Sequence, residues 1–404
     1  MPFFVLAVAF FCAESNPMRQ YAGQYRDELL GGVIPFWLEH SRDAEHGGYL
    51  TSLDRDGTVF DTDKWVWLQG REVWAFATFY NRIEKRDAWL DMALHGAEFL
   101  RKYARDDSGA HYFGLTRDGR PLIQPYNIFS DCFCSMGYGA LAVALPDSQY
   151  GALAKSVFEA ILARRDNPKG QYGKAVPGTR PLKSFALPMI LCNLALELEL
   201  VFGRTYVDSL VRNLANEIML DYYKPEFGCL LENVAPDGSF VDSFEGRTCS
   251  PGHGLEAMWF LMDVAERLGD GALLKKAAGI TLDILERGWD KEFGGIFYFM
   301  DVHGKPPPHL EHDQKLWWVH MEALVACAKG FRLCGTSGLA TWFERIHEYS
   351  WKRFRDPEHP EWFGYLNRRG EVMFPFKGGK WKGCFHVPRA LFQVWKTLDA
   401  LSGN

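Results

Sequence analysis

Short apolar or aromatic runs recur along the chain, and each one ends at a glycine suited to a tight turn, as in HYFGLTRDG and GGIFYFMDVHG. This pattern is typical of β-hairpins. The turn glycines are about sixty residues apart, except for one interval that is twice as long: Gly57, Gly119, Gly238, Gly304 and Gly370. A sixth hairpin is therefore expected near Gly178.

Two kinds of helical pattern lie between these runs. One kind is apolar on nearly every side, which indicates a buried helix, and it begins near Arg71, Asp131, Pro188, His253, Trp318 and His386. The other kind has one charged face, as in DAWLDMALHGAEFLRKYA and LATWFERIHEYSWKRF. Six hairpins of one inner and one outer helix predict an all-α fold, an (α/α)6 barrel with short β-hairpins in its loops. An open solenoid of helical pairs is the alternative.

The repeat places residues 18–404 in a single barrel domain. Residues 1–17, MPFFVLAVAFFCAESNP, form an apolar extension that is too short for a membrane span and long enough for a signal peptide. No Lys or Arg precedes the apolar run and no A-x-A site follows it. A translation start at Met18 is therefore the competing interpretation.

Charge and cysteine content limit the expected partners and cellular location of the protein. The net charge is −6 and no basic run is present, so neither a nucleic acid nor an anionic membrane is an expected partner. The nine cysteines are odd in number and form no CxxC pair, which is typical of a reducing compartment. We expect a cytoplasmic location, or export if the N-terminus is a signal peptide. The 14 tryptophans favour a carbohydrate ligand, because aromatic faces in a pocket stack on sugars.

Two histidines stand at equivalent places in the repeat. His253 lies in PGHGLE at the start of the fourth inner helix, and His386 lies in FHVPR at the start of the sixth. Proline in a first turn marks a helix start. The positive end of a helix lowers the cost of a neutral imidazole, so each ring could act as a base. The alternative is a histidine that caps its own helix.

Three charged residues accompany these histidines. Glu256 shares a helix face with His253 and could orient its ring. Glu322 lies in the apolar run KLWWVHMEALV, where a carboxylate needs a partner or a function. Arg71 opens the first inner helix, which would direct its guanidinium toward the barrel axis. Each residue could instead be a member of a buried salt bridge.

Several kinds of chemistry lack their sequence motif. The chain has no HExxH pair and no Cys/His cluster, so no catalytic metal is expected. It has no GxxxxGK[ST] loop and no GxGxxG after a strand, which argues against ATP hydrolysis and nicotinamide chemistry.

Over residues 20–400 the chain resembles the N-acylglucosamine 2-epimerase family, most clearly in KWVWLQGREVW, LTRDGRPLIQPYNIFSD, PGHGLEAMWF, QKLWWVHMEAL and KGGKWKGCFHVPRA. The resemblance implies that His253 and His386 are the proton-transfer histidines, that Arg71 is the active-site arginine, and that Glu256 and Glu322 are its buried carboxylates. It also implies an (α/α)6 barrel, a homodimer, no metal, and ATP as an allosteric effector rather than a reactant. The nucleotide site stays unknown, and LTRDGRPLIQPYNIFSD is only a candidate region.

The chain departs from the family pattern in two places. The apolar N-terminus has no counterpart in the family core, which leaves the location of the protein open. Ser250 stands where the family carries Asn before PGH.

The implied reaction is a metal-independent interconversion of N-acetyl-D-glucosamine and N-acetyl-D-mannosamine. In the open-chain aldehyde, one base removes the proton from carbon 2 and an acid returns a proton to the opposite face. We expect Trp67, Trp318, Trp381 and Arg389 to bind the sugar. The sequence does not decide which histidine serves which face.

Three alternative functions stay open. A cellobiose-type 2-epimerase or an aldose–ketose isomerase would begin by removing the same proton. A glycoside hydrolase would use Glu256 and Glu322 as a carboxylate pair across the scissile bond. A non-catalytic protein-binding module would turn over no amino sugar.

Overall fold

The computed structural model describes residues 17–402 except residues 175 and 177, so all but the last residue of the 1–17 extension lies outside the described residues. Helices dominate this part of the chain, and most repeats alternate an outer and an inner helix. The α-helices are α1 (Gln20–Glu28), α2 (Ile34–His40), α3 (Val66–Arg82), α4 (Asp87–Tyr103), α5 (Phe129–Ala144), α6 (Tyr150–Ala163), α7 (Ala186–Glu197), α8 (Glu199–Phe202), α9 (Arg204–Glu217), α10 (Pro251–Leu268), α11 (Gly271–Gly288), α12 (Trp317–Cys334), α13 (Ser337–Arg353) and α14 (His386–Asp399).

Six helices, α3, α5, α7, α10, α12 and α14, form the inner ring, and each packs on the next along the chain. They begin within five residues of the predicted starts, and buried residues occupy nearly all of their length. The ring closes where Phe385, which precedes α14, contacts Trp74 of α3 with ring centroids 5.2 Å apart. This closure confirms the (α/α)6 barrel and excludes the open solenoid.

The outer ring begins with α1 and α2, which a π-helical turn (Leu29–Val33) joins into one long element. The amphipathic helices α4, α6, α9, α11 and α13 supply the other outer positions. Helix α1 packs on α14, and its Tyr25 hydroxyl lies 3.0 Å from Nδ1 of His347 on α13. The first described α-helix therefore packs against the last one, so the two ends of the repeat are in contact.

The closest helix crossing lies beside the predicted arginine. A Cβ atom at Gly70 would come within 2.5 Å of the backbone of Phe133, and one at Gly137 would come within 2.9 Å of the carbonyl oxygen of Gly70. Only glycine allows α3 and α5 to approach this closely. The crossing brings Arg71 against the aromatic ring of Phe133.

The strands are short: β1 (Ser52–Leu53), β2 (Val59–Asp61), β3 (Lys64–Trp65), β4 (Gly114–Leu115), β5 (Pro121–Ile123), β6 (Lys183–Ser184), β7 (Tyr223–Lys224), β8 (Cys229–Leu230), β9 (Asn233–Val234), β10 (Thr248–Cys249), β11 (Met300–Asp301), β12 (Lys315–Leu316), β13 (Tyr365–Leu366) and β14 (Val372–Phe374). Four of them, β3, β6, β10 and β12, lead directly toward an inner helix. Each pairs antiparallel with a loop strand of the next repeat: β4, β9, β11 and β13. These pairs fix each inner-helix start relative to its neighbour.

The hairpin prediction is only partly confirmed. All six turn glycines, including Gly178, have positive φ angles. Paired strands bracket Gly57, Gly119 and Gly370, as β1–β2, β4–β5 and β13–β14. In the described part of the chain, no strand pair brackets Gly178, Gly238 or Gly304. Strands β9 and β11 pair with β6 and β10, the strands that precede inner helices. At Gly238 and Gly304 the described chain therefore has only the tight turn, without a second hairpin strand.

Buried lysine–aspartate pairs anchor these loops. Lys64 on β3 bonds Asp43 at 2.8 Å, and Lys315 on β12 bonds Asp290 at 3.1 Å. All four side chains are almost fully buried. A buried charge is tolerated only with a partner, so each pair fixes a loop to the start of an inner helix.

The predictions about cysteines and membrane helices can be compared with the structure only for the described residues. The eight cysteines in the described range are free thiols. None of the described helices is long and apolar enough to span a bilayer. The cellular compartment stays a prediction.

Candidate active site

A cavity of about 650 Å³ opens at the N-terminal ends of the inner helices. All six inner helices contribute lining residues from their first turns or from the residue just before them. Seven of the nine predicted site residues line it: Trp67, Arg71, His253, Glu256, Trp318, Trp381 and His386. Trp381 stands half-exposed at its rim, 5.8 Å from Trp67 between ring centroids. The repeat therefore brings most of the predicted site residues to one cavity.

His253 lies in the first turn of α10. Ser250 caps this helix by accepting a hydrogen bond from the His253 backbone at 3.4 Å, a role that Asn would also fill. Nδ1 of His253 lies 2.9 Å from Glu232 Oε1. Because a carboxylate only accepts, Nδ1 carries the proton in this contact. Burial alone would lower the pKa of His253, but the Glu232 charge and hydrogen bond, with Glu256 nearby, raise it above its ordinary value.

His386 is the first residue of α14, and its Nδ1 lies 2.8 Å from Glu322 Oε1. Burial and the positive charges of Arg71 and Arg389 hold the pKa of His386 well below its ordinary value. The two histidines, which occupy equivalent places in the repeat, are thus shifted in opposite directions. The helix ends were expected to favour neutral rings at both places, whereas at His253 the Glu232 carboxylate outweighs burial and raises the pKa.

Trp318 contacts both imidazoles. Its ring centroid lies 5.0 Å from that of His253 and 5.7 Å from that of His386. The histidines are therefore less than 10.7 Å apart, the sum of these two distances. They come from α10 and α14, with α12 between them. A small sugar in the cavity can contact both.

Glu256, Glu322 and Arg389 form one ionic cluster. Nη2 of Arg389 bonds Glu322 Oε1 at 2.8 Å and also bonds Glu256 Oε1. Glu322 and Arg389 do not line the cavity, and Arg389 is almost fully buried. The geometry therefore supports a structural role for Arg389, holding both carboxylates, rather than the predicted contact with the sugar. The expected contact between Glu256 and His253 is replaced by the contact with Glu232.

Arg71 is a buried guanidinium stacked among aromatic rings. Its Cζ lies 4.2 Å from the centroid of Trp67, 4.0 Å from that of Phe133 and 4.5 Å from that of Phe385. Among the described residues no carboxylate pairs with it, and its buried Nε has no hydrogen-bond partner. Burial lowers its pKa to about 9. An unpaired buried cation beside the cavity is suited to an oxygen that gains negative charge.

Glu256, Glu322 and His386 also bring three potential metal ligands together. One ligand atom from each lies within 4.8 Å of the others. Arg389 contacts both carboxylates, so a guanidinium already bonds two of the three potential ligands. A divalent cation would have to displace it. The prediction of a metal-free site stays a prediction.

Sequence reasoning missed several residues. Glu232 stands between β8 and β9, 21 positions before His253, and its backbone is fixed by bonds to Phe185 and Thr248. A carboxylate directly after the apolar run CLL was the available signal. His309 and Glu311 also line the cavity from the loop that precedes β12. His309 stacks on Phe299 at 3.9 Å, and its Nδ1 is buried without a partner.

A closed helical barrel in which two imidazoles and a guanidinium line one cavity has the arrangement of an enzyme that acts on a small polar molecule. The sequence model of one family, N-acylglucosamine 2-epimerase (GlcNAc 2-epimerase), matches residues 47–390. The chain belongs to this family and is an epimerase, in the isomerase class.

Known proteins agree with this assignment. The N-acylglucosamine 2-epimerase of Bos taurus is 40% identical over 96% of this chain and 93% of its own. That of Homo sapiens is 39% identical over 92% of this chain and 89% of its own. The structure of cellobiose 2-epimerase from Spirochaeta thermophila superposes with a TM-score of 0.81 at 21% identity, over 96% of this chain and all of that one. This likeness supports the barrel fold alone.

Proposed function

We propose that the chain interconverts N-acetyl-D-glucosamine and N-acetyl-D-mannosamine by proton transfer at carbon 2. The observation that carries the proposal is the pair His253 and His386, which line one cavity, both contact Trp318, and have pKa values shifted in opposite directions. Relatives about 40% identical along nearly the whole chain bear the name of this activity. Their identity favours the acetylated amino sugar over other sugars.

The reaction begins with the open-chain aldehyde, whose carbonyl acidifies the C–H bond at carbon 2. In one direction neutral His386 takes this proton through Nε2, and the electron pair moves into an enolate. Arg71 donates hydrogen bonds to the enolate oxygen. Protonated His253 then delivers a proton to the opposite face of carbon 2, and the aldehyde re-forms. The reverse reaction starts from the opposite protonation states, so no atom is gained or lost overall.

The carboxylates hold these bases in place. Glu232 and Glu322 each accept a hydrogen bond from Nδ1 of one histidine, which leaves Nε2 for the sugar. Trp67, Trp318 and Trp381 offer aromatic surface for the sugar carbons. Arg389 bonds both Glu256 and Glu322 and so holds the two side chains beside one another.

We extend the proposal to three properties that rest on the family resemblance and the composition. ATP is an effector and not a reactant, and its site is unassigned. The protein is a homodimer. The cysteine content, with eight described free thiols, supports a cytoplasmic location.

The decisive experiment follows N-acetyl-D-mannosamine in heavy water, with and without ATP. Product with deuterium at carbon 2 is expected, and ATP should raise the rate. The His386→Asn variant should lose turnover while its circular dichroism spectrum and thermal midpoint stay close to those of the wild type. Epimerised product without solvent deuterium would refute the two-base scheme.

Glycoside hydrolysis fits the geometry poorly. The two carboxylic groups of a glycosidase stand on opposite sides of the scissile bond, at least about 5 Å apart. Here oxygen atoms of Glu256 and Glu322 lie within 4.8 Å, both bond Arg389, and Glu322 does not reach the cavity. Release of a reducing sugar from a glycoside would reinstate this function.

The remaining alternatives share the site but not the product. An aldose–ketose isomerase or a cellobiose-type 2-epimerase would use the same deprotonation, so parallel assays with mannose and cellobiose separate them from the proposal. A protein-binding module predicts no deuterium exchange with any sugar. Such a module gives no reason for an unpaired arginine and two tuned histidines around one cavity.

A further inference from the structure

Glu322 is a fully buried carboxylate whose two oxygens have different donors. Its Oε1 accepts from Nδ1 of His386 and from Nη2 of Arg389, each at 2.8 Å. Its Oε2 accepts from the indole Nε1 of Trp259 at 2.8 Å. Among the described residues, the indole N–H is the only hydrogen-bond donor to Oε2, so it opposes rotation of the carboxylate.

Trp259 is itself firmly held. It lies on α10, almost fully buried, and packs edge-on against Phe260 at 4.2 Å. The ammonium of Lys329 lies 4.7 Å from its ring centroid, and the guanidinium of Arg389 lies 5.2 Å from it. Lys329 is fixed in turn by both oxygens of Asp263, each at 2.6 Å. The indole therefore has little freedom to rotate.

Trp259 also borders a second cavity, of about 240 Å³, which it shares with Lys329 and Asp263. This cavity is lined by the C-terminal halves of the inner helices, at the opposite end of the barrel from the sugar cavity. The indole thus separates the polar far end of the barrel from the ionic cluster behind His386.

We propose that Trp259 is a positioning residue that acts through Glu322 to orient the base His386. The inference rests on the proposed two-base function. Rotation of a carboxylate about its last bond is soft, so an oxygen without a partner would let Glu322 turn. The Trp259 bond fixes Oε2 and thereby presents Oε1 to Nδ1 of His386. That contact keeps the proton on Nδ1 and leaves Nε2 free for carbon 2.

A matched tryptophan exists elsewhere in the barrel. Nε1 of Trp362 donates to Glu28 Oε1 at 2.9 Å, and Arg355 donates to Glu28 Oε2 at 2.8 Å. Trp362 is fully buried, like Trp259. The two indoles therefore make the same kind of contact to an arginine-bound glutamate, but Glu28 lies on the outer helix α1 and touches no group of the sugar site. Trp362→Phe removes an equivalent hydrogen bond without touching the proposed network.

The first measurement compares Trp259→Phe, Trp362→Phe and the wild type. Trp259→Phe should lower kcat about tenfold to hundredfold with little change in KM, because a hydrogen bond to a charged group that orients a base is lost. Trp362→Phe should lower the thermal midpoint and leave kcat near the wild-type value. A folded Trp259→Phe protein with wild-type kcat would overturn the proposal.

The pH dependence of kcat gives a second measurement that a merely structural role would not change. The charged groups that face His386 are Arg71 from α3, His253 and Glu256 from α10, Glu322 from α12, and Arg389 from its own helix. Without the indole N–H, the Glu322 charge is less neutralised and favours the imidazolium form of His386 more strongly. The acidic limb of the profile should move to higher pH in Trp259→Phe and stay in place in Trp362→Phe.

A variant with the indole shape keeps the test valid if phenylalanine disturbs folding. β-(3-Benzothienyl)alanine at position 259 replaces the N–H with sulfur and preserves the ring volume. It should show the same loss of kcat and the same shift of the acidic limb, and wild-type behaviour of this folded variant would refute the role of the N–H. If wild-type protein exchanges no deuterium at carbon 2, the two-base function fails, whatever the variants do.

Discussion

Glu232→Gln is the substitution that tests the acid–base assignment most directly. The change keeps the size of the side chain and removes the negative charge 2.9 Å from Nδ1 of His253. Burial then acts unopposed by this carboxylate, so the pKa of His253 should fall. The acid that returns the proton to carbon 2 becomes scarce at neutral pH. The base His386, which Glu322 holds, is untouched.

The size of the effect follows from the charge that is lost, because the new amide oxygen can still accept from Nδ1. A charged acceptor makes a hydrogen bond stronger by about 1–1.5 kcal/mol than a neutral one, so kcat should fall about fivefold to tenfold. Both side chains are mostly buried, so solvent screens this contact little. The rate should fall mainly in the step in which His253 returns a proton to carbon 2.

Proton magnetic resonance of each sugar in heavy water separates the two half-reactions. The epimer whose proton is taken by His386 should still exchange deuterium at carbon 2 but should return to itself more often than it epimerises. The other epimer, which needs neutral His253 in its proper tautomer, should lose exchange and epimerisation together. Equal loss of exchange from both epimers would refute the assignment.

The matched control is Asp131→Asn. Asp131 lies 2.8 Å from Nδ1 of His111 in a carboxylate–imidazole pair that is more deeply buried than His253–Glu232 and does not line the cavity. This variant should unfold at a lower temperature and keep the wild-type ratio of exchange to epimerisation.

Three further outcomes are expected. Lys315→Met removes one of the two cations that bond the buried Asp290 and leaves Arg368 as the other, so it should lower the free energy of unfolding by about 1.5–3 kcal/mol in urea titrations; an unchanged urea midpoint would contradict the anchoring role. Burial would raise the pKa of Asp356, but Arg55 and Lys377 hold it below its ordinary value, so this part of the stability should be present above pH ~4 and be lost as pH falls further; a urea midpoint independent of pH below that point would contradict it. Prolonged dialysis against EDTA should leave turnover unchanged, and activity restored only by an added divalent cation would establish a metal site.

Much of this architecture can be predicted from local signals. The inner helices are apolar on every side and His253 follows a proline in its first turn, so pattern and spacing alone place it at the start of its helix. Arg71 follows a run of aromatic residues, of which Trp67 stacks on its guanidinium, while Phe133 and Phe385 reach it from other parts of the barrel. Such features depend on neighbours in sequence, and the repeat period then sets their place in the barrel.

The hydrogen-bond partners of these residues depend on how the helical ring closes, so they cannot be predicted from the neighbouring sequence. Glu232 reaches His253 because its backbone bonds to the residues that lead into two different inner helices. Arg389 bridges Glu256 and Glu322, which come from two other helices. The strand β9 likewise pairs with β6, about fifty residues before it, instead of closing a hairpin at Gly238. Periodicity carries no information about which of several equivalent partners a side chain meets.

This dependence explains how a repeated barrel produces an unsymmetrical site. The helix ends that carry His253 and His386 are alike, so the difference between the two rings comes from the charges that neighbouring repeats bring to them. Glu232 raises the pKa of His253, whereas burial, Arg71 and Arg389 lower that of His386. Proton transfer from one face to the other needs a neutral base and a protonated acid at the same pH. In the direction that begins at His386, both conditions hold only between the two pKa values, so kcat should form a broad plateau bounded below by His386 and above by His253. Because the two shifts are opposite, they widen that plateau, and two histidines with equal surroundings would leave almost none.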